Sequence, residues 1–388
     1  MDADVGSRFD FSFAGRPLSR RRVQMYGMFE GAWSIAQVCT QIAQHLVDRV
    51  GRVGVYSYNG GNFYEPGLYD HAGIDRSAPV GFFYGFPNEV PDLVFDHNVS
   101  VGGFVCEAPT IPTSWVDSCN RFDLIVVPST FCARAFSASG VVAPIMVVPH
   151  GLEPGYRPVR GPREDGPFRF FNTFYESSTL ARKGVPTLVE AFLDVFGVTG
   201  EEAVLVLRTQ VSSQLAALRN RYDFGDAIRI QPMFPLAVEE YAAVLSHPDC
   251  LVHPSVAEGF GLVPLQALAC ETPVLATLAG GMVDYLDPTV SLCIEGVDDG
   301  GDDLRVALRQ MVDDHDRYML AAAAIGPSVR ANHAWPVVLE EFTQTLDGLA
   351  SRLRRRSMKR YLRDSPLLGQ STAAASRAVP GRQNQART

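Results

Sequence analysis

The chain has 388 residues, a formal net charge of −9 and 46% apolar residues, enough for two domains of ordinary size with full cores. From Ser351 onward ten Lys/Arg stand against one acid, which leaves an acidic body of 24 basic against 42 acidic residues and argues against nucleic-acid binding as the main task. No apolar run reaches the roughly 18 residues of a membrane span, Met1 to Pro17 lacks the apolar stretch of a signal peptide, and seven scattered cysteines without a Cys-x-x-Cys pair fit a reducing cytoplasm with neither disulfides nor a zinc site.

In chain order, residues 1–21 read as a lead-in. Arg22 to Met28 predicts a first strand, Gly31 breaks it, Ala32 to Val50 predicts a helix and Val53 to Tyr58 a second strand. This unit opens a parallel, doubly wound sheet. Gly31 then stands at a helix N-terminus, either as a simple helix-start residue or where a phosphate can approach. Asn59 to Ser77, rich in Gly, Tyr, Asn and Asp, predicts a long surface loop. Val80 to Tyr84 and Val99 to Cys106 predict buried strands, the second running into Glu107. Asp123 to Pro128 predicts the next strand, Ser129 caps the helix after it, and Ile145 to Val148 closes the first sheet before Pro149-His150-Gly151. Pro154 to Pro167, with four prolines, is the linker, and its composition sets a domain boundary near residue 158.

The second half repeats the plan. Phe168 to Asn172 predicts a strand, the loop to Gly184 carries Arg182 and Lys183, and Val185 to Val195 predicts an amphipathic helix. Strands follow at Ala203 to Arg208, Ala227 to Ile230 and Cys250 to His253, with Val238 to Leu245 as a helix between the last two. Asp299 to Asp313 and Arg317 to Ala324 read as helices, and Trp335 to Leu362 as one long helix or two. The fold class is α/β with two Rossmann-like parallel sheets. The expected divisions are a first domain at 22–157, a second at 158–335, a helical segment at 336–364 and a basic, disordered tail at 365–388.

The most informative stretch is Asp249 to Leu286. A short apolar strand ends at Pro254-Ser255, a loop carries Glu258-Gly259-Phe260-Gly261-Leu262, a helix follows with Leu262, Leu265 and Leu268 at helical spacing, and Pro273 starts another buried strand that ends at Gly280-Gly281. The glycines let backbone approach a ligand, and the opening helix offers free N–H groups and its positive end, which suits a phosphate. Glu258 at the rim is an acceptor for ligand hydroxyls. Gln266, one turn inside the helix, is placed toward the same ligand.

This stretch resembles the nucleotide-sugar site of the retaining glycosyltransferases of family 4, which have the GT-B fold. Their motif is an acidic residue, seven others and a second Glu around a Gly-Phe-Gly-Leu core. Here Glu258 matches the first acid and Gln266 replaces the second, whose role in the family is to hold the nucleotide ribose. A neutral Gln makes the weaker bond. The resemblance implies that Lys183, before Gly184, grips a diphosphate. The family Arg falls at Ser177 here, so Arg182 stands in for it, and Arg208 is a secondary donor-site candidate. Of the family's Gly-Gly pair in the first loop only Gly31 carries over. Glu107 falls on the acceptor side of the cleft; a helix cap or an Arg partner is its other reading. His150 resembles part of a Pro-His-Gly segment leading to the hinge, where it anchors the turn or touches ligand. In such folds the C-terminal helix crosses back to the first domain, which accounts for the apolar positions Leu339, Phe342, Leu346, Leu349 and Leu353.

The expected function is therefore metal-independent transfer of a sugar from a nucleoside-diphosphate sugar to an acceptor hydroxyl, with retention of configuration and no other cofactor. The basic tail is either a solvated helix end or a weak contact with an anionic membrane face. The rival readings are a GT-B epimerase or hydrolase of nucleotide sugars, and a transferase-like subunit without activity.

Overall fold

The computed structural model of the chain describes residues 22–30, 34–51, 53–60, 66–159, 161, 165–175, 180–210, 212–297 and 300–352. Gly31, Ser177, Leu353 and the basic tail lie outside these residues. The first sheet contains β1 (Val23–Gly27), β2 (Val53–Ser57), β3 (Val80–Gly85), β4 (Val99–Phe104), β5 (Leu124–Val127) and β6 (Ile145–Val147), with helices α1 (Ser34–Val50), α2 (Thr113–Cys119) and α3 (Thr130–Ala138) between them. Its order is β2-β1-β3-β4-β5-β6, parallel throughout. Strands β1, β3, β4 and β5 are buried along their whole length, because helices cover both faces of a parallel sheet and leave no polar side.

The second sheet contains β7 (Phe168–Thr173), β8 (Ala203–Thr209), β9 (Ile228–Pro232), β10 (Cys250–His253), β11 (Val274–Thr277) and β12 (Leu292–Ile294). Helices α4 (Val185–Phe196), α5 (Ser213–Arg221), α6 (Val238–Ser246) and α7 (Leu262–Ala269) lie between its strands, and α8 (Asp302–Asp313) and α9 (His315–Asn332) follow. The order is β12-β11-β10-β7-β8-β9, parallel in every pairing. Strand order reverses between β7 and β10. Chains leaving these two neighbours depart to opposite faces: α4 and α8 pack in one core and α6 and α7 in the other, with α9 reaching both through Tyr318 and Val329. A crevice opens at the carboxyl ends of two such strands, and ligands bind there in open α/β sheets.

Helices α10 (Trp335–Val338) and α11 (Glu340–Arg352) return to the first domain. Trp335, Leu339, Phe342, Leu346 and Leu349 are buried in the core formed by α1 and the first sheet, with the Phe342 and Phe82 rings 5.1 Å apart. Arg49–Glu340 and Arg22–Asp347 ion pairs flank this seam.

Several boundaries differ from the sequence expectation. The helix expected to stop at Ala324 runs to Asn332 through Pro327. A proline removes one backbone donor and disfavours helix before it. Burial of Val329 against α7 and bonds from Arg330 to Ala269 O (2.5 Å) and Glu271 (2.9 Å) sustain the last turns. Helix α5 and strand β12 were not foreseen, and within 59–77 the chain holds a 3-10 turn at Pro66–His71. Of the two readings for Trp335 onward, one long helix or two, the described residues have two. No helix among the described residues is long and apolar enough to cross a membrane.

Candidate active site

The loops that leave β7 and β10 meet at the reversal point. Ser255 Oγ donates to Arg182 O (3.1 Å), and Val256 N–H to the same carbonyl (2.9 Å). Arg182 Nη1 donates back to Ala257 O (2.8 Å). Gly184 makes this contact possible: its φ is +65°, and a Cβ there would lie 2.1 Å from Pro254 O. Only glycine meets both demands, the left-handed backbone and the close approach. Gly184 also starts α4, and Gly261 starts α7, with Tyr285 OH donating to the Gly261 carbonyl.

Charged side chains converge on this seam. Lys183 Nζ donates to Glu258 Oε1 at 2.5 Å, His253 Nε2 lies 3.1 Å from the same oxygen, and Arg182 Nη1 is 3.7 Å from it. Arg182 Nη2 reaches 3.1 Å to Glu107 Oε2 on the first domain. Glu258 and His253 are buried, while Glu107 keeps 45% of its side-chain surface exposed. Burial alone would raise the Glu258 carboxyl, but the Lys183 ammonium and the His253 hydrogen bond outweigh it and hold the group well below the usual carboxylate range. Burial pushes His253 below its ordinary value, against the pull of Glu258, so the ring is neutral and donates through Nε2. Desolvation in the cleft pushes the Glu107 carboxyl upward; Arg182 opposes this and Glu258 adds to it. Among the described residues two cations and two carboxylates meet here. The carboxylates hold Lys183 and Arg182 against the loop that leads into α7, a helix whose first-turn N–H groups have no partner within the helix.

The two domains touch across the same loop. Ser129 Oγ, the cap of α3, donates to Gly259 O (2.6 Å), and Cys132 Sγ approaches that oxygen at 3.3 Å. Thr130 N–H and Oγ1–H donate to the two oxygens of Asp284 at 2.6 and 2.5 Å. Gly259 sits so close to β4 that a Cβ would lie 2.3 Å from Val105 Cγ1 and 2.8 Å from Cys106 O. These contacts join the two domains beside Glu258.

Of the residues singled out in the sequence, Lys183, Arg182, Glu258 and Glu107 come together, with Gly259 at the domain contact. Phe260 is buried under the loop, its ring 5.0 Å from His150 and 5.4 Å from Tyr285; Leu262 packs against the cores of both domains. Arg208 stands apart from the cluster. It is buried at the end of β8, with Nη2 donating to Phe234 O (2.8 Å) and its guanidinium 5.2 Å from the Tyr241 ring. Gln266 is buried, and its amide donates to Tyr156 OH in the linker (2.9 Å). His150 lies in the hinge core, bonded through Nε2 to Tyr84 OH (2.7 Å) and pushed by burial down to about 3. That is the anchoring reading of His150 and not a place at the cleft surface. His253 was missed: its sequence signal was a histidine at a strand end, five residues before the acid.

Residues 174–319 match the model of the glycosyl transferases group 1 family. A curated relative is the GDP-mannose-dependent monoacylated alpha-(1-6)-phosphatidylinositol monomannoside mannosyltransferase of Corynebacterium glutamicum. It is 26% identical over 179 residues, 44% of this chain and 46% of that protein, so the match spans about half of the relative's length. Among solved structures, the sucrose-phosphate synthase of Thermosynechococcus elongatus superposes with a TM-score of 0.68 at 16% identity, covering 85% of this chain and 99% of the other. Alr3699/HepE of Anabaena, solved in complex with UDP and glucose, gives 0.68 at 13% identity over 85% and 100%. Residues 174–319 are thus similar to a glycosyl transferases group 1 domain, set in a chain with the two-domain GT-B fold.

Proposed function

We propose that this chain is a glycosyltransferase that moves a sugar from a nucleoside-diphosphate sugar to an acceptor hydroxyl. The observation that carries the reading is the meeting of Lys183, Arg182 and Glu258 between β7 and β10, in a cleft whose opposite wall presents Glu107. The matching domain and the names of its relatives support it. In this reading the diphosphate takes Lys183 and Arg182 from their carboxylate partners and sits against the N-terminus of α7. These groups stabilise the charge that builds as the bond from the anomeric carbon to the diphosphate oxygen breaks. Glu258 accepts hydrogen bonds from hydroxyls of the transferred sugar. The acceptor hydroxyl forms the new bond to the anomeric carbon on the leaving-group face, and its proton passes to the departing diphosphate. This is the course expected of a retaining enzyme of family 4, with no protein nucleophile. Glu107 contacts the acceptor or the sugar. Arg208 lies one strand further along the same edge and is a secondary donor contact. Domain closure excludes water and favours transfer over hydrolysis.

The test is nucleotide release by purified protein with UDP-, GDP-, ADP- and dTDP-sugars, comparing wild type with Lys183→Ala and Glu258→Ala. Release from one donor, strongly reduced in both variants but still measurable, is the expected result. If no donor is turned over and none of the four nucleoside diphosphates binds, the enzyme reading falls.

A further inference from the structure

Glu258 is held from one side only. Lys183 Nζ, His253 Nε2 and Arg182 Nη1 all face Oε1, and among the described residues no hydrogen bond reaches Oε2. The three donors differ in what holds them. Lys183 and Arg182 are the cations that a diphosphate would draw away. His253 is not mobile in this sense. It ends β10, paired in register with Ala276 of β11, and it is 3% exposed. It is neutral, because burial and the adjacent Lys183 and Arg182 charges disfavour a further proton more than Glu258 favours one. An ionised carboxylate only accepts, so Nε2–H donates to Glu258 in either charge state of the ring, and does so whether or not the cations are engaged elsewhere.

We propose that His253 is a positioning residue: it fixes Glu258 Oε1 so that Oε2 stays presented to a hydroxyl of the donor sugar after the diphosphate has taken Lys183 and Arg182. This rests on the glycosyltransferase reading. It adds a residue whose effect concerns the sugar half of the donor and not the nucleotide half. A carboxylate anchored only by Lys183 would lose its orientation at the moment the donor binds; a histidine on a central strand does not move.

The experiment compares His253→Met, which keeps side-chain bulk without a donor, with His253→Gln, whose amide retains one. Both are also made in a Glu258→Ala background. Two quantities are read in each: kcat/KM for the sugar donor found in the panel above, and the Kd of the matching nucleoside diphosphate, which carries no sugar. The expected result is a loss of about 10- to 100-fold in kcat/KM for His253→Met, the scale of one hydrogen bond to a buried charge. Nucleoside-diphosphate affinity stays within about twofold, His253→Gln recovers most of the loss, and His253→Met adds nothing once Glu258 is Ala. The proposal is overturned if His253→Met weakens the nucleoside diphosphate as much as the donor, if His253→Gln is as impaired as His253→Met, or if the loss persists in the Glu258→Ala background. Those outcomes leave the glycosyltransferase reading standing. Wild-type protein that neither binds a nucleoside diphosphate nor releases one refutes that reading, and this proposal with it.

Discussion

Asp284→Ala tests whether the interdomain contacts set the position of the closure equilibrium. The Asp284 carboxylate takes both the N–H and the hydroxyl of Thr130, the first residue of α3, at 2.6 and 2.5 Å. A hydrogen bond to a charged group contributes about 1.5–3 kcal/mol when protected, but Asp284 is exposed, so competition with water reduces the pair to about 1 kcal/mol. A carboxylate at a helix N-terminus adds roughly 0.3–1 kcal/mol. The total of about 1–2 kcal/mol is a factor of about 5–30 in the ratio of closed to open molecules. Neither domain should lose stability, because Ser129 still caps α3. Fluorophores on cysteines introduced at Val142 and Val306, which are 83% and 67% exposed on the first and second domains, would report the distance; of the seven native thiols six are buried. The expected result is a shift toward the longer distance and a rise in donor hydrolysis relative to transfer. Thr130→Val should reproduce part of the effect and add little to Asp284→Ala. An unchanged distance distribution together with an unchanged hydrolysis-to-transfer ratio would refute the reasoning.

Three other outcomes follow from the same geometry. Lys183→Met should weaken nucleoside-diphosphate binding by about 10- to 100-fold, the scale of one charge-assisted hydrogen bond, measured by calorimetry; affinity within twofold of wild type would remove Lys183 from the diphosphate site. Gly184→Ala should destabilise the protein by about 2 kcal/mol or more in urea unfolding, since it combines left-handed strain with a Cβ 2.1 Å from Pro254 O; a change under about 0.5 kcal/mol would show that the loop yields freely. Glu258 governs an acid limb of stability. Its carboxyl is depressed in the folded state, so its contribution is complete above the unfolded value of about 4.3 and is lost as pH falls from there toward the folded value. Between pH 5 and pH 3 the wild-type urea midpoint should fall more steeply than that of Glu258→Gln, and parallel slopes would contradict the assignment.

The alternation of short apolar runs with helical spacing was enough to place most strands of both sheets, since a strand buried on both faces must read as a continuous apolar run. Strand β12 escaped because its first two residues are only half-buried, and α5 because its face is weakly apolar, with Leu215 and Leu218 its only buried residues. Lys183 and Glu258 were legible from their neighbours, a Gly after one and a Gly-Phe-Gly after the other. The partners that hold Glu258 were not. For His253 the local signal, a histidine at a strand end, does not specify a partner, and its bond to Glu258 exists because β10 ends where its own loop folds back. Thr130 and Asp284 are 154 residues apart, and no periodicity links them. The bond from the Gln266 amide to Tyr156 in the linker was not legible either, because it is set by where the linker passes α7; it leaves the Gln266 carbonyl for the ligand contact that the analogy implies.

The returning helices α10 and α11 have a consequence for synthesis. The first domain is assembled from two pieces of chain, and five of its buried residues, Trp335 to Leu349, emerge only after the whole second domain has been made. The second sheet and its helices come from one continuous stretch of chain, and such a unit can fold by itself, although N-terminal domains ordinarily have the head start. Here the order is inverted: the segment made first waits, with part of its apolar core uncovered, for a segment made last. A chain released at residue 334 would carry the whole second domain and an unfinished first one, which makes that interval the one in which a chaperone has most to protect.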